Sequence, residues 1–296
     1  MKNESAFEEL LSGSGLAVPT EQLLTDLDEI IINADNIDFS KMSNLTYIHC
    51  KHFDIQGEYK ISKILVSKLK RAKYADLFLK MQKYDPTTYF HSIRVAYLAT
   101  ALGIELGYSK KDLEILAEGA LLHDAGKMLL PEHILKKNGR LTKKEYAIVK
   151  NHPEYGIEYL DQMGIKTSKA IKKVIKQHHE NFDGSGYPLG LKDFNIDKNA
   201  RIVHIVDVYD ALCTKRPYKK ELDRRAVWIL MDNGSAVDFD PLIYAKFKRI
   251  MPVYLLGEEV TRKGKTARVI GVNIEDKWNP LLYCDGTVQF YNEVFA

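Results

Sequence analysis

Cysteine is scarce in this chain of 296 residues: Cys50, Cys213 and Cys284 are odd in number, far apart and outside any CxxC spacing. That argues against a disulfide framework and for a reducing compartment. No apolar run reaches the roughly 18 residues of a membrane span, and the opening MKNESAFEEL lacks the apolar core of a signal peptide. A cytoplasmic protein is expected. Charge of one sign is also missing: 43 basic against 40 acidic residues leave a formal +3, so overall charge calls for no DNA or RNA polymer as partner. There is no internal repeat and no low-complexity tract.

What is present is ordinary globular composition, 45% hydrophobic and 28% charged. At roughly 100 to 200 residues per domain, the length suits one large or two modest domains. The expected fold is mainly α: an N-terminal helical accessory region over 1–84, a helical domain over 85–250 and a small β-rich extension over 251–296. In the first region, His49, Cys50 and His52 lie close together, but no second cluster completes a coordination set. Lys63, Lys68, Lys70, Arg71 and Lys73 read as the solvated face of an amphipathic helix.

The chemistry is concentrated downstream. Asp85 and Pro86 begin a helix in which His91 shares a face with Val95, Leu98 and Leu102. The apolar segment Leu113–Leu122 delivers His123 and Asp124 inward, and the helix is expected to run to Pro131. A buried carboxylate such as Asp124 wants a cation, which Lys127 or a metal could supply. Thr142 and Glu145 form a capping-box signature. The helix it opens ends near His152 and Pro153, and Pro153 suits the first turn of the next one. A helix from Ser168, with Lys169, Lys172, Lys173 and Lys176 on its solvated face, delivers His178 and His179. These begin the stretch HHENFDGSGYP, ending at Pro188. A helix from about Asn199 sets Asp207 and Asp210 among apolar residues, where acids again ask for cations. The run Lys215–Lys220 that follows reads either as a basic helix terminus or as a phosphate clamp.

His91, His123, Asp124, His152, His178, His179 and Asp207 thus supply five imidazoles and two carboxylates. Seven ligands exceed the need of one tetrahedral ion and fit two ions bridged by a carboxylate, an arrangement that clamps the attacking and leaving oxygens of a phosphodiester.

The His123-Asp124 pair with Gly126-Lys127, the His152-Pro153-Glu154-Tyr155-Gly156 step, the HHENFDGSGYP stretch and the DVYDAL segment from Asp207 resemble the HD-GYP family of HD phosphohydrolases over roughly Asp85 to Pro241. That resemblance implies a helical domain and two divalent ions, iron or manganese. One ion would sit on His91, His123, Asp124 and Asp207; the other on Asp124, His152, His178 and His179. The implied reaction is hydrolysis of cyclic di-GMP by a metal-bridged hydroxide, with Lys127 stabilising phosphate charge or protonating the leaving oxygen. Asp183, Tyr187, Asp210, Arg216 and Lys219 are the expected substrate contacts: Tyr187 toward guanine, Arg216 and Lys219 on the phosphates. Thr87 stands one turn before His91, where members with three metals carry glutamate. The resemblance implies pGpG or GMP as product, and the missing glutamate makes two metals and pGpG the expectation, with GMP left open.

Three alternatives stand beside this reading. One changes the substrate to another cyclic dinucleotide such as cyclic GMP-AMP; another is a cyclic-dinucleotide-binding signalling protein without turnover. The third is a nucleoside phosphohydrolase of the wider HD group, which leaves the GYP loop unexplained. A homodimer or a signalling-protein partner stays open.

Overall fold

The computed structural model describes residues 55–213, 224–251, 253–254, 259–271, 278–285 and 287–295. His49, Cys50 and His52, the run Lys215–Lys220 with Arg216 and Lys219, and all but the end of the 1–84 region lie outside these residues.

Residues Asp54–Phe247 form one compact unit. Its described helices are α1 (Ile55–Leu69), α2 (Ala72–Tyr84), α3 (Pro86–Glu105), α4 (Lys110–Leu122), a 3-10 turn over Ala125–Leu129, α5 (Glu132–Leu135), α6 (Lys143–Val149), α7 (His152–Gln162), α8 (Lys169–Gln177), α9 (Lys198–Cys213), α10 (Arg224–Asp238) and α11 (Pro241–Ile250). The starts obey local chemistry. Asp85 caps α3 by accepting from the Thr87 backbone N–H, with Pro86 in the first turn. Ser109 and Ser168 cap α4 and α8. Thr142 and Glu145 form the expected capping box on α6.

Helices α3 and α9 are the central pair. Both are buried along most of their length, and α3 packs against α1, α2, α4 and α9. Leu98, Leu102, Leu116, Leu121, Ile202 and Ile205 are at most 2% exposed, each contributing about 1.5–3 kcal/mol by leaving water. Glycine permits the close approaches: a Cβ on Gly119 of α4 would lie 2.9 Å from Val174 of α8. Another contact of this kind, at Gly126, shapes the site.

Three expectations change. The compact unit extends upstream of residue 85, because α1 and α2 pack on α3 rather than standing apart. Lys68 is not on a solvated face: it is buried, and its amino group donates to Glu118 at 2.6 Å, while Tyr74 donates to the other oxygen of that carboxylate at 2.6 Å. The helix does not run from Leu113 to Pro131; it stops at Leu122, and Asp124 turns the chain (φ −100°) into the 3-10 turn.

From Lys248 the chain belongs to a second unit. Its described part holds an antiparallel sheet in the order β1 (Glu259–Arg262), β2 (Lys265–Gly271), β3 (Leu281–Cys284), β4 (Thr287–Phe290), followed by the single turn α12 (Tyr291–Val294). Lys263 and Gly264 both take positive φ at the first hairpin, the conformation a tight two-residue turn requires. No helix among the described residues is long and apolar enough to cross a membrane.

Candidate metal centre

Three of the five histidines sit where helices end or begin, and each is fixed in the same way. His123 Nδ1 donates to the Ala120 carbonyl at 2.7 Å, His152 Nδ1 to Val149 at 2.8 Å and His178 Nδ1 to Ile175 at 2.8 Å. These carbonyls belong to the last turns of α4, α6 and α8, which lack intrahelical donors. Satisfying them places the proton on Nδ1 and leaves Nε2 as a lone pair aimed inward.

His91 comes from α3 and faces α9. Its Nε2 lies 2.9 Å from Asp207 Oδ1 and 3.5 Å from Asp124 Oδ2, and its Nδ1 is 2.6 Å from Asp210 Oδ2. Asp124 lies between the two sets: its Oδ2 is 3.4 Å from His123 Nε2, and its Oδ1 is 3.3 Å from His152 Nε2 and 3.9 Å from His178 Nε2. Lys127 also donates to Asp124 Oδ2. His179 Nδ1 lies 3.8 Å from Asp207 Oδ2. All seven expected ligands therefore converge, although their positions in the chain span more than a hundred residues.

These donors suit divalent cations. Asp124, His152, His178 and His179 form one group able to hold a metal ion, and His91, His123 and Asp124 form another, with Asp124 in both. Asp207 adjoins the second through His91 and through His123 Nε2 at 4.0 Å. His123 Nε2 and Asp124 Oδ1 are buried without hydrogen-bond partners, a costly state for ordinary core atoms. His152 Nε2 and His178 Nε2 face each other at 3.2 Å. With both Nδ1 protons committed to carbonyls, two lone pairs point together, and positive charge between them relieves the repulsion.

Electrostatics divide the imidazoles. Burial, reinforced by neighbouring imidazoles, pushes His178 well below its ordinary value; burial likewise lowers His179, against Asp207. Both are held as neutral imidazoles, the metal-binding form. Burial also pulls His91 down, but bonding and charge from Asp207 and Asp210 outweigh it and lift it to about 9. Burial raises Asp124 and Asp207, yet both stay well below the usual carboxylate range, Asp124 through Lys127, His123 and His152, and Asp207 through His91, His179 and His123.

The glycine loop folds back against His179. A Cβ on Gly186 would lie 2.2 Å from Asn181 N and 2.5 Å from the His179 carbonyl oxygen, so only glycine lets the loop fold back this tightly. Tyr187 N–H donates to that carbonyl at 3.1 Å, and the Tyr187 ring stacks on His179 with centroids 4.7 Å apart. Buried Glu180 accepts from Leu189 N–H at 2.7 Å and Leu191 N–H at 2.9 Å. Asp183 is exposed, and its Oδ1 accepts from the Ser185 backbone and hydroxyl.

Asp210 is a correction. It was expected to touch substrate, but it is 4% exposed and its two oxygens receive His91 and Arg94. Sequence reading missed Arg94, Glu180 and His204, whose Nδ1 donates to the His178 carbonyl at 2.8 Å. Arg94 and His204 each stand three residues from a ligand, a helical spacing that could have pointed to them. Lys150 was also missed: its amino group lies 5.9 Å from the Tyr187 ring and 5.5 Å from that of half-exposed Tyr146.

A family model described as HD domain matches residues 69–243. A cyclic di-GMP phosphodiesterase of Pseudomonas aeruginosa is 33% identical over 75% of this chain and 52% of its own length. A cyclic di-GMP phosphodiesterase response regulator of Xanthomonas campestris is 37% identical over 50% of this chain and 39% of its own length. A 3'3'-cGAMP-specific phosphodiesterase of Vibrio cholerae is 39% identical over 44% of this chain and 25% of its own length. The chain thus spans about half or less of the length of these relatives.

Proposed function

Because this chain belongs to the HD-domain family, its model matching residues 69–243, we propose that its histidine–aspartate centre hydrolyses a phosphodiester bond of cyclic di-GMP and releases the linear dinucleotide pGpG. The observation that carries this reading is the convergence of six donor side chains in two groups that share Asp124, with Asp207 beside the second through His91. His91, His123, Asp124 and Asp207 would hold one divalent ion, and Asp124, His152, His178 and His179 a second; iron and manganese suit nitrogen donors combined with carboxylate oxygen. When bound, such a pair supplies Lewis acidity at the phosphoryl oxygen and lowers the pKa of water.

The chain's own residues do the rest. Carbonyl-anchored His123, His152 and His178 keep their lone pairs in fixed directions, so no reorganisation accompanies the reaction. Lys127, beside Asp124 and partly exposed, brings a positive charge to the developing phosphate or a proton to the leaving oxygen. Tyr187, held flat on His179, offers a face for guanine. Asp183 at the loop, with Arg216 and Lys219, completes the substrate contacts. Exposed Thr87 adds no carboxylate to the centre, which favours two ions and a single hydrolytic step.

A second reading keeps the chemistry and takes 3'3'-cyclic GMP-AMP as substrate; the Vibrio cholerae relative favours it. The test is anaerobic purification, a metal count per chain by elemental analysis, and incubation of manganese- or iron-loaded protein with each dinucleotide, products being separated by ion-exchange chromatography. About two ions per chain and faster release of pGpG from cyclic di-GMP are expected. Faster turnover of cyclic GMP-AMP selects the second reading. Nucleotide bound without any product makes the chain a receptor. Asp124→Ala should lose metal and activity, whereas His133→Ala, on exposed α5, should keep both.

A further inference from the structure

We infer that Arg94 and Asp210 form a positioning dyad that raises the affinity of the His91 half of the centre for its cation; the inference rests on the metal-dependent reading above. His91 is held between two acids of α9, Asp207 at Nε2 and Asp210 at Nδ1, at 2.9 and 2.6 Å. Arg94, one helical turn from His91 on α3, grips Asp210 with Nε on Oδ1 at 2.6 Å and Nη2 on Oδ2 at 2.8 Å. Two residues three apart on α3 thus interlock with two residues three apart on α9.

The dyad singles out one ligand. His123, His152 and His178 rest their Nδ1 on neutral backbone carbonyls, while His91 rests on a carboxylate. A charged acceptor makes the stronger hydrogen bond and increases the electron density that Nε2 offers to a cation. The guanidinium fork fixes the plane of Asp210 from the other side, so the carboxylate cannot swing toward the centre and compete with Asp207. Burial of Asp210 and His91, 4% and 2% exposed, shields both bonds from water. A substrate contact would leave part of Asp210 reachable, and this arrangement does not.

The test counts and titrates manganese on the full chain. At metal concentrations where the parent holds about two ions, Asp210→Asn should hold about one, with a fall of about 10- to 100-fold in the affinity of the ion lost, the range such outer partners command. Arg94→Gln should weaken the same ion to a smaller extent, with Arg94→Lys intermediate. His152→Ala should remove the other ion, and the double variant Asp210→Asn/His152→Ala should hold none. One ion retained by the double variant would overturn the inference, because both changes would then act on the same half. Asp210→Asn with unaltered metal affinity would also overturn it: a raised KM would return Asp210 to substrate, and a lowered Tm of metal-free protein would leave a strut between α3 and α9. A parent chain that holds no metal would instead sink the reading on which the inference rests.

Discussion

Gly126 passes so close to His152 that a Cβ on the glycine would lie 2.0 Å from the His152 carbonyl oxygen and 2.3 Å from Gly156 N. This contact presses the 3-10 turn after Asp124 onto the first turn of α7, and so brings Asp124 within 3.3 Å of His152. Backbone cannot move aside as a side chain can. Gly126→Ala should therefore separate the two ligand groups and cost at least the roughly 1–3 kcal/mol typical of overpacking. Urea denaturation should show the loss of stability, and elemental analysis a fall in metal content. A variant with parental metal content and stability would mean that the turn and α7 need no such approach.

How much of this was legible in the sequence depends on the range of the interaction. Caps at Asp85, Thr142 and Ser168 are local, and all three stand where residue chemistry put them. The seven converging side chains were also legible as candidates, because acids and imidazoles set among apolar residues need partners. Asp210 was misjudged: its partners Arg94 and His91 lie on another helix, and which of two acids in one helix faces a substrate depends on packing between helices. The same holds for Lys68. Its neighbours in sequence are solvated lysines, and only the meeting of α1 with α4 reveals Glu118. The turn at Asp124 was hidden because apolar pattern continues through Leu130 while the close contact at Gly126 forbids a straight helix.

Lys68 and Glu118 make a buried ion pair at 2.6 Å, joined by Tyr74 and approached by Arg71 at 3.7 Å. Removing one member leaves the other charged and without its main counterion, a change worth about 3–5 kcal/mol in buried pairs. Glu118→Gln should lower stability by that order. Its metal content should stay parental, since none of these groups is a ligand. The double variant Lys68→Met/Glu118→Leu should recover most of the loss, because an apolar pair of similar volume carries no desolvation cost. Denaturant midpoints of the three proteins check this; equal midpoints for the single and double variants would refute it.

Glu180 organises the loop that carries Tyr187. Its two oxygens accept the backbone N–H groups of Leu189 and Leu191, bonds to a charged acceptor that contribute about 1.5–3 kcal/mol each. Glu180→Ala should free residues 184–191 while leaving the imidazoles of His178 and His179 on their helix end. Faster proteolysis within the loop and a raised KM are expected, with metal content retained. A variant that lost metal as fast as it lost affinity for substrate would instead show that the loop and the ligands fold as one piece.

Lys127 stands in two roles at once: its amino group donates to Asp124 and it retains contact with solvent at 18% side-chain exposure. A purely structural lysine would act through Asp124, holding the carboxylate ionised and in place, and its loss would appear as weaker metal binding. A lysine acting on the reacting phosphate would leave metal binding almost unchanged and lower kcat, by about 100- to 1,000-fold if it matches other single groups that stabilise developing charge. Lys127→Ala and Lys127→Met are expected to follow the second course, because four imidazoles still surround Asp124 and supply its remaining partners. Metal titration alongside single-turnover kinetics separates the two: a kcat restored to the parental level by excess manganese would assign Lys127 to holding Asp124 and remove it from the chemistry.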